Sequence, residues 1–401
     1  MTDLTADGVT LGVVGGGQLG RMLAEAASPL GVEVVVLDPT PDCPAALPAR
    51  DQLVGAFDDE AAVRTLAERA DVLTYEIELA DPDLLARVRE ETGVPVHPDP
   101  ETLRVTQDKL VEKQTLAERG IPVPAFRRVD DAADLRAALD ELGSPVMLKA
   151  RAGGYDGRGN VPVAAGDDLD AALEGMGPCV AEAMVDFARE VSVIGVRGDG
   201  ERDVFPLVEN VHEAEILRET VVPARTSGAV REHALDVARE VLSALDGRGV
   251  FGIELFEVES GDTAGSTAGE RDDGRILVNE IAPRPHNSGH YTIEGAHTSQ
   301  FEQHARAVLG LPLGSTALRG QTVSANLLGD VEVPEPATLH GVERALATPG
   351  VSLHWYGKKE VRPLRKMGHV TATSVTDEPL ADLLDRTRRV RDALTFRDTT
   401  E

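Results

Sequence analysis

Apolar residues in the first 100 positions fall into short β-branched runs separated by amphipathic stretches. Val9–Val14 predicts a strand, Gly15–Gly17 breaks it, and a helix follows from about Gln18 to Ala27. Val32–Leu37 predicts a second strand and Val72–Tyr75 a third. Asp83–Glu91 reads as a helix, and Val94–Val96 as a fourth strand before the breakers Pro98 and Pro100. Strands alternating with helices imply a parallel, doubly wound sheet.

Further along, Leu110–Arg119 reads as a helix and Ile121–Pro124 as an extended linker. A helix is predicted at Ala132–Leu142, a strand at Pro145–Ala150 and a glycine-rich turn at Ala152–Gly159. Strands are expected at Gly177–Glu182, Glu190–Val196 and Val204–Glu209. The clearest helix is Val230–Leu245, whose Val230, Ala234, Val237, Ala238, Val241, Leu242 and Leu245 keep one stripe; Gly247 ends it. Strands Val250–Val258 and Arg275–Ile281 flank Ser260–Gly274, a small, acidic stretch expected to be an exposed hairpin tip without function. Beyond Leu313, strands are predicted near Gln321–Leu328, Ser352–Tyr356 and Gly368–Thr373, with a last helix over Pro379–Leu394.

Composition narrows the function classes. The chain has 401 residues, 42% of them hydrophobic, ample for packed cores in roughly two to four domains. Asp and Glu number 69 against 40 Lys and Arg, a formal charge of −29. So negative a surface repels nucleic-acid phosphates and anionic lipid, so neither nucleic acid nor membrane is an expected partner. Only Cys43 and Cys179 occur, too few for a disulfide framework or the usual zinc site. No signal peptide and no transmembrane run is read, and a cytoplasmic location is expected. The basic residues are almost all Arg. The exceptions are Lys109, Lys113, Lys149, Lys358, Lys359 and Lys366, which makes lysine positions informative. Two readings fit the acidity and the scarcity of Lys: a GC-rich genome, or a salt-adapted (halophilic) protein whose carboxylates are screened in concentrated salt.

Gly15–Gly20 fits G-x-G-x-x-G between a strand and a helix, and Asp38 ends the second strand. This is the dinucleotide fingerprint with its ribose-binding acid, yet the physics serves any phosphate at a helix N-terminus. A second constellation is richer. Lys149 ends the apolar strand Val146–Lys149, and the glycine-rich stretch 153–160 follows at once, with Arg158 adding charge. Glu182 ends a strand and Glu190 opens the next, positions that suit recognition of a nucleotide ribose. Glu254 and the pair Asn279 and Glu280 lie on two further strands, where two carboxylates and an amide oxygen form a hard oxygen site for magnesium.

Lysine, glycine loop, two acids and Asn-Glu in this order resemble the ATP-grasp superfamily. Within it, Gly15–Leu23, Thr74–Glu78, Tyr155–Asn160, Glu209–His212, Asn279–His290 and His354–Lys359 resemble the N5-carboxyaminoimidazole ribonucleotide synthases of purine biosynthesis, from about residue 10 to about residue 375. The resemblance implies an α/β protein: an N-terminal Rossmann-like domain, an ATP-grasp domain and a small β-rich C-terminal domain. It also implies ATP- and bicarbonate-dependent carboxylation of 5-aminoimidazole ribonucleotide (AIR) through carboxyphosphate, with ATP and Mg2+ as cofactors.

Site residues follow by matching positions. For ATP they are Lys109, where the family commonly has Arg, Lys149, Gly154, Tyr155, Gly157, Gly159, Asn160, Glu182, Ala183, Met184, Val185, Glu190, His212, Asn279 and Glu280. For AIR they are Gln18, Leu19, Glu76, Tyr155, Asp156, His286, Asn287 and Arg365. Glu254 and Glu280 match the metal ligands, and Arg158, Lys358 and Asp156 the catalytic set, with adjacent Lys359 an alternative to Lys358. Expected divisions are 1–100, holding the AIR phosphate; 101–315, the ATP-grasp part with a lid over about 110–186; and 316–401, completing the AIR and bicarbonate site. The family implies a homodimer acting on AIR, bicarbonate and ATP. The rival readings are an NAD-dependent oxidoreductase, another ATP-grasp ligase such as a formate-dependent glycinamide ribonucleotide transformylase, and a non-enzymatic nucleotide sensor.

Overall fold

The computed structural model describes residues 8–153, 159–258, 275–374 and 378–397. Strands β1 (Val9–Val14), β2 (Val32–Asp38), β3 (Asp51–Val54) and β4 (Val72–Tyr75) form a parallel sheet in the order β3-β2-β1-β4. Helix Gln18–Ala27 packs on one face and helices Glu60–Ala67 and Pro82–Thr92 on the other, so the sheet is doubly wound as expected. Asp81 starts the last of these helices, its carboxylate accepting from Asp83 and Leu84 N–H ahead of Pro82, and Gly93 ends it at φ +75°. Strand β3 has no apolar run to announce it, being a short edge strand exposed at both ends. Val94–Val96 forms only a bridge beside Leu73, because Pro95 and Pro98 carry no N–H to extend the ladder.

A second sheet, order β5-β8-β6-β7, comprises β5 (Phe126–Val129), β6 (Val146–Ala150), β7 (Asn160–Val163) and β8 (Cys179–Ala183). It buries Val146, Leu148 and Ala181 against Leu135, Ala138 and Leu139 of helix Ala132–Leu142.

The nine-stranded antiparallel sheet holds β9 (Phe187–Arg197), β10 (Arg202–Val204), β11 (Val208–Glu213), β12 (Ile216–Val222), β13 (Gly249–Val258), β14 (Arg275–Ala282), β15 (Thr322–Leu328), β17 (Val351–Trp355) and β19 (Lys366–Thr373). Two short strands, β16 (Glu335–Pro336) and β18 (Glu360–Val361), pair separately. The order is β14-β13-β9-β11-β12-β15-β19-β17, with β10 on β9. Where one strand is predicted over Val204–Glu209, two form, because Pro206 lacks an N–H to pair. The sheet continues across position 315 through β12–β15 pairing, so the C-terminal strands are hydrogen-bonded into it. Helix Gly228–Ala244 covers β9, β13 and β14 through Ala234, Val237, Ala238, Val241 and Leu242. The expected tip Ser260–Gly274 lies outside the described residues.

His304 joins the first and third sheets. Its Nδ1 accepts from Val250 N–H (3.1 Å), so Nε2 carries the proton and donates to Thr74 Oγ1 (2.8 Å). Burial holds this imidazole down to about 3, hence neutral and able to play both parts.

Candidate active site

Lys109 opens helix Lys109–Glu118, whose first turn is capped by the Asp108 carboxylate. Arg151, just past β6, pairs with Asp108, and its carbonyl accepts from Lys109 N–H (2.9 Å). The Lys109 ammonium therefore has a fixed base, and it pairs with Glu280 on β14.

Strict alternation would place Asn279 and Glu280 on opposite faces of their strand. A bulge removes that obstacle. Glu254 on β13 pairs in register with Glu280, while Leu255 pairs with Val278, leaving Asn279 as the extra residue. Both consecutive side chains then meet lysines. Lys149 Nζ donates to Asn279 Oδ1 (3.1 Å), and Lys109 holds Glu280. Glu182, at the end of β8, pairs with Lys149 at 3.1 Å.

The electrostatics is that of a site built for a cation. Burial and then the neighbouring Glu280 charge push the Glu254 carboxyl up to about 7. Against burial, Lys109 draws Glu280 down to about 2. Glu280 is 44% exposed, open to the cleft although protein surrounds it. Two register-paired carboxylates competing for charge give an oxygen-only donor set suited to Mg2+, with phosphate oxygens to complete it. Among the described residues, no group of three or more His, Cys, Asp or Glu forms a separate metal cluster. On the same sheet His212 pairs with Glu190, and His286 Nε2 lies 3.3 Å from Glu254 Oε1. Burial, then the nearby Arg284 charge, lowers His286 to about 3.

Ala183 ends β8, and Met184 and Val185 connect it to β9, Met184 being exposed. Gly159 is left-handed (φ +83°), and its carbonyl accepts from Ala150 N–H (2.9 Å). Asn160 opens β7 opposite Lys149, with its Oδ1 buried and without a hydrogen-bond partner among the described residues. Gly154, Tyr155, Asp156, Gly157 and Arg158 lie outside the described residues.

At the first loop, two carboxylates already take backbone amides. Gly16 N–H donates to Asp38 (2.9 Å) and Gly17 N–H to Glu76 (2.6 Å). Gly15 sits at φ +105°, and a Cβ there would come within 2.8 Å of the Glu76 side chain. The glycines thus admit Glu76, while the start of helix Gln18–Ala27, which has no side-chain cap, presents the Gln18 and Leu19 amides. Burial raises Glu76 to about 7, with the Gly17 N–H opposing. Gln18 Oε1 accepts from Lys358 Nζ (2.7 Å), whereas Lys359 reaches the surface acid Asp42. Asn287 begins the turn Asn287–Gly289, with its Nδ2 buried and without a hydrogen-bond partner among the described residues. Arg365 turns to its own segment, donating to the Glu360 carbonyl (2.7 Å).

Four residues of this cleft receive no role from the motifs, although Arg284 lies within the matching stretch Asn279–His290. Lys113 and Glu112 lie buried behind Lys109; Lys113 carries a signal only through the scarcity of lysine. Arg284 pairs with Glu78, and its charge acts on both Glu76 and Glu280. Gln300 holds the backbone of His286 from both sides, donating to its carbonyl (2.7 Å) and accepting from its N–H (2.9 Å).

Fold and site together define an ATP-grasp protein. Residues 114–301 match the ATP-grasp domain, 9–107 the ribonucleotide synthetase preATP-grasp domain, and 322–382 the phosphoribosylaminoimidazole carboxylase C-terminal domain. The N5-carboxyaminoimidazole ribonucleotide synthase of Brucella melitensis is 44% identical over 372 residues, 91% of this chain and 96% of that one. The crystal structure of the synthetase from Thermotoga maritima is 41% identical, with a TM-score of 0.84 over 96% of this chain and 99% of that one. The Aspergillus clavatus synthase in complex with ADP and 5-aminoimidazole ribonucleotide is 37% identical, with a TM-score of 0.85 over 96% and 98%. The chain belongs to the N5-carboxyaminoimidazole ribonucleotide synthase family.

Proposed function

We propose that this protein is the ATP-dependent ligase that carboxylates the exocyclic amine of AIR, using bicarbonate, in purine biosynthesis. The observation that carries the reading is the meeting of Lys109, Lys149, Glu182, Glu254, Asn279 and Glu280 in one cleft.

ATP lies with its phosphates at Lys149 and Lys109 and its nucleoside toward Glu182–Val185, Glu190 and His212. Lys149 spends donors on Glu182 and Asn279, and an ammonium has three, so one remains for a phosphate oxygen. Glu254 and Glu280 would hold Mg2+, which, when bound, offsets the phosphate charge that otherwise repels bicarbonate. With Glu280 engaged in holding the metal, Lys109 would turn from it toward the phosphates. Carboxyphosphate decomposes in water, so the site must exclude solvent while it lasts. The glycine-rich stretch 153–160 is assigned that duty, and Tyr155, Asp156 and Arg158 keep the roles the family resemblance implies.

AIR sits with its phosphate at the Gln18 and Leu19 amides and its imidazole toward Glu76, His286 and Asn287, with Arg365 contributing a charge. Lys358, held by Gln18, stands beside the carboxylate being transferred. In this reading residues 1–100 hold AIR, 101–315 hold ATP with a lid over about 110–186, and 316–401 complete the AIR and bicarbonate site. A homodimer and a cytoplasmic location are proposed from the family resemblance. Among the described residues no helix is long and apolar enough to cross a membrane.

The test is ADP release from purified protein. It should require both AIR and bicarbonate, and glycinamide ribonucleotide with formate should give none. Release with the latter pair, or release indifferent to bicarbonate, would overturn the assignment.

A further inference from the structure

Behind the cleft, four polar groups from four elements close a ring. Glu182 presents Oε2 to Lys149 at 3.1 Å and Oε1 to Lys113 at 3.2 Å. Asn279 presents its side-chain oxygen to Lys149 (3.1 Å) and its backbone carbonyl to Lys113 (3.1 Å). Each lysine thus touches the same acid and the same amide residue. The ring joins helix Lys109–Glu118, β6, β8 and β14. Exposure grades across it: the Lys113 side chain is 1% exposed and that of Lys149 10%. Lys149 faces the cleft, and Lys113 lies too deep to touch a ligand.

We infer that Lys113 is a positioning residue that keeps Lys149 available to the nucleotide phosphates, by sharing Glu182 and fixing the carbonyl of the bulge residue Asn279. This rests on the nucleotide site proposed above.

Charge sets the effect. Two ammonium groups and one carboxylate give the ring a net charge of +1, since burial pushes the neighbouring Glu112 carboxyl up to about 8, and the charged member most open to the cleft is Lys149. Without Lys113 the ring is neutral, and both oxygens of Glu182 fall to Lys149. Its ammonium is then bound to a buried counter-ion and repays less on meeting a phosphate. Lys113 also anchors the backbone beside Glu280, so the bulge that turns Glu280 into the cleft has a buried tether. The contact with Glu182 Oε1, at 3.2 Å, is an ion pair between two buried side chains.

The test uses Lys113→Met, which keeps length and removes charge, and the double variant Lys113→Met with Glu182→Gln. ADP binding with Mg2+ is measured by calorimetry, alongside the KM for ATP and for AIR. Lys113→Met should weaken ADP binding and raise the ATP KM about tenfold or more, with the AIR KM within about twofold of the parent's. Neutralising Glu182 as well should release Lys149, so the double variant binds ADP more tightly than Lys113→Met alone. A structural role by itself predicts the opposite, a further loss. If Lys113→Met does not fold, the double variant, lacking the buried pair, decides against Glu182→Gln alone: matching ADP affinity supports the inference, and a tenfold deficit overturns it. Parent-like ADP affinity in folded Lys113→Met overturns it equally. ADP binding needs no acceptor, so failure here is separate from a parent protein that does not turn over AIR.

Discussion

Glu280 pairs with Lys109 in this structure, and in the function proposed above it would exchange that partner for Mg2+. An amide at this position would still accept from Lys109 but would bring no charge to the metal. Glu280→Gln should therefore fold normally and lose ATP turnover about 100-fold. Turnover near the parent rate at saturating Mg2+ would remove Glu280 from the metal site. Glu76 offers a pH test. Its folded value of about 7 lies above the ordinary 4.5, because burial disfavours the carboxylate. The folded protein thus binds more protons than the unfolded chain between these values, and stability falls as pH rises through that window. Glu76→Gln keeps an acceptor for Gly17 and removes the ionisation. It should raise stability at pH 8 by up to about 3 kcal/mol and change it little at pH 4. Melting curves at the two pH values would show the difference, and an equal shift at both would refute it.

Among the elements, those with a full apolar period were legible: β1, β4, and the helices Gln18–Ala27 and Ala132–Leu142 fall where their patterns put them. Glu60–Ala67 and β3 are short and half-exposed, and Phe126–Val129 pairs along an edge, so none has enough apolar contrast to stand out. The site was legible as a set of residue types in order. Its geometry was not, because it depends on a bulge, and a bulge is a property of two strands in register, which no single stretch encodes. Lys113 escaped for a related reason, since its partners Glu182 and Asn279 lie far away in sequence. At this scale the last helix, Leu380–Arg391, is pinned to the central sheet by Glu219 on β12, 4% exposed and gripped by Arg388 and Arg391. Glu219→Ala would leave the Arg388 guanidinium without its paired acid and Arg391 with only the exposed Asp392. A loss of about 1–3 kcal/mol is expected, and urea unfolding would measure it.

For the whole molecule, a charge of −29 sets the balance between cohesion and self-repulsion. Raising KCl from about 0.1 M to about 1 M shortens the Debye length from about 10 Å to about 3 Å. The melting temperature should climb over that range, and a flat or falling curve would leave genome composition as the account of the acidity. The same composition has a second outcome. Of six lysines, Lys113 and Lys149 are buried, Lys109, Lys358 and Lys366 half-buried, and Lys359 stands 71% exposed beside Asp42. To an amine-directed reagent the folded surface offers one prominent side-chain address. Limiting succinimidyl ester should label Lys359 ahead of the other five, as peptide mapping would show, while denaturant should level all six. The pattern of acylation then becomes a chemical gauge of whether the cleft is formed.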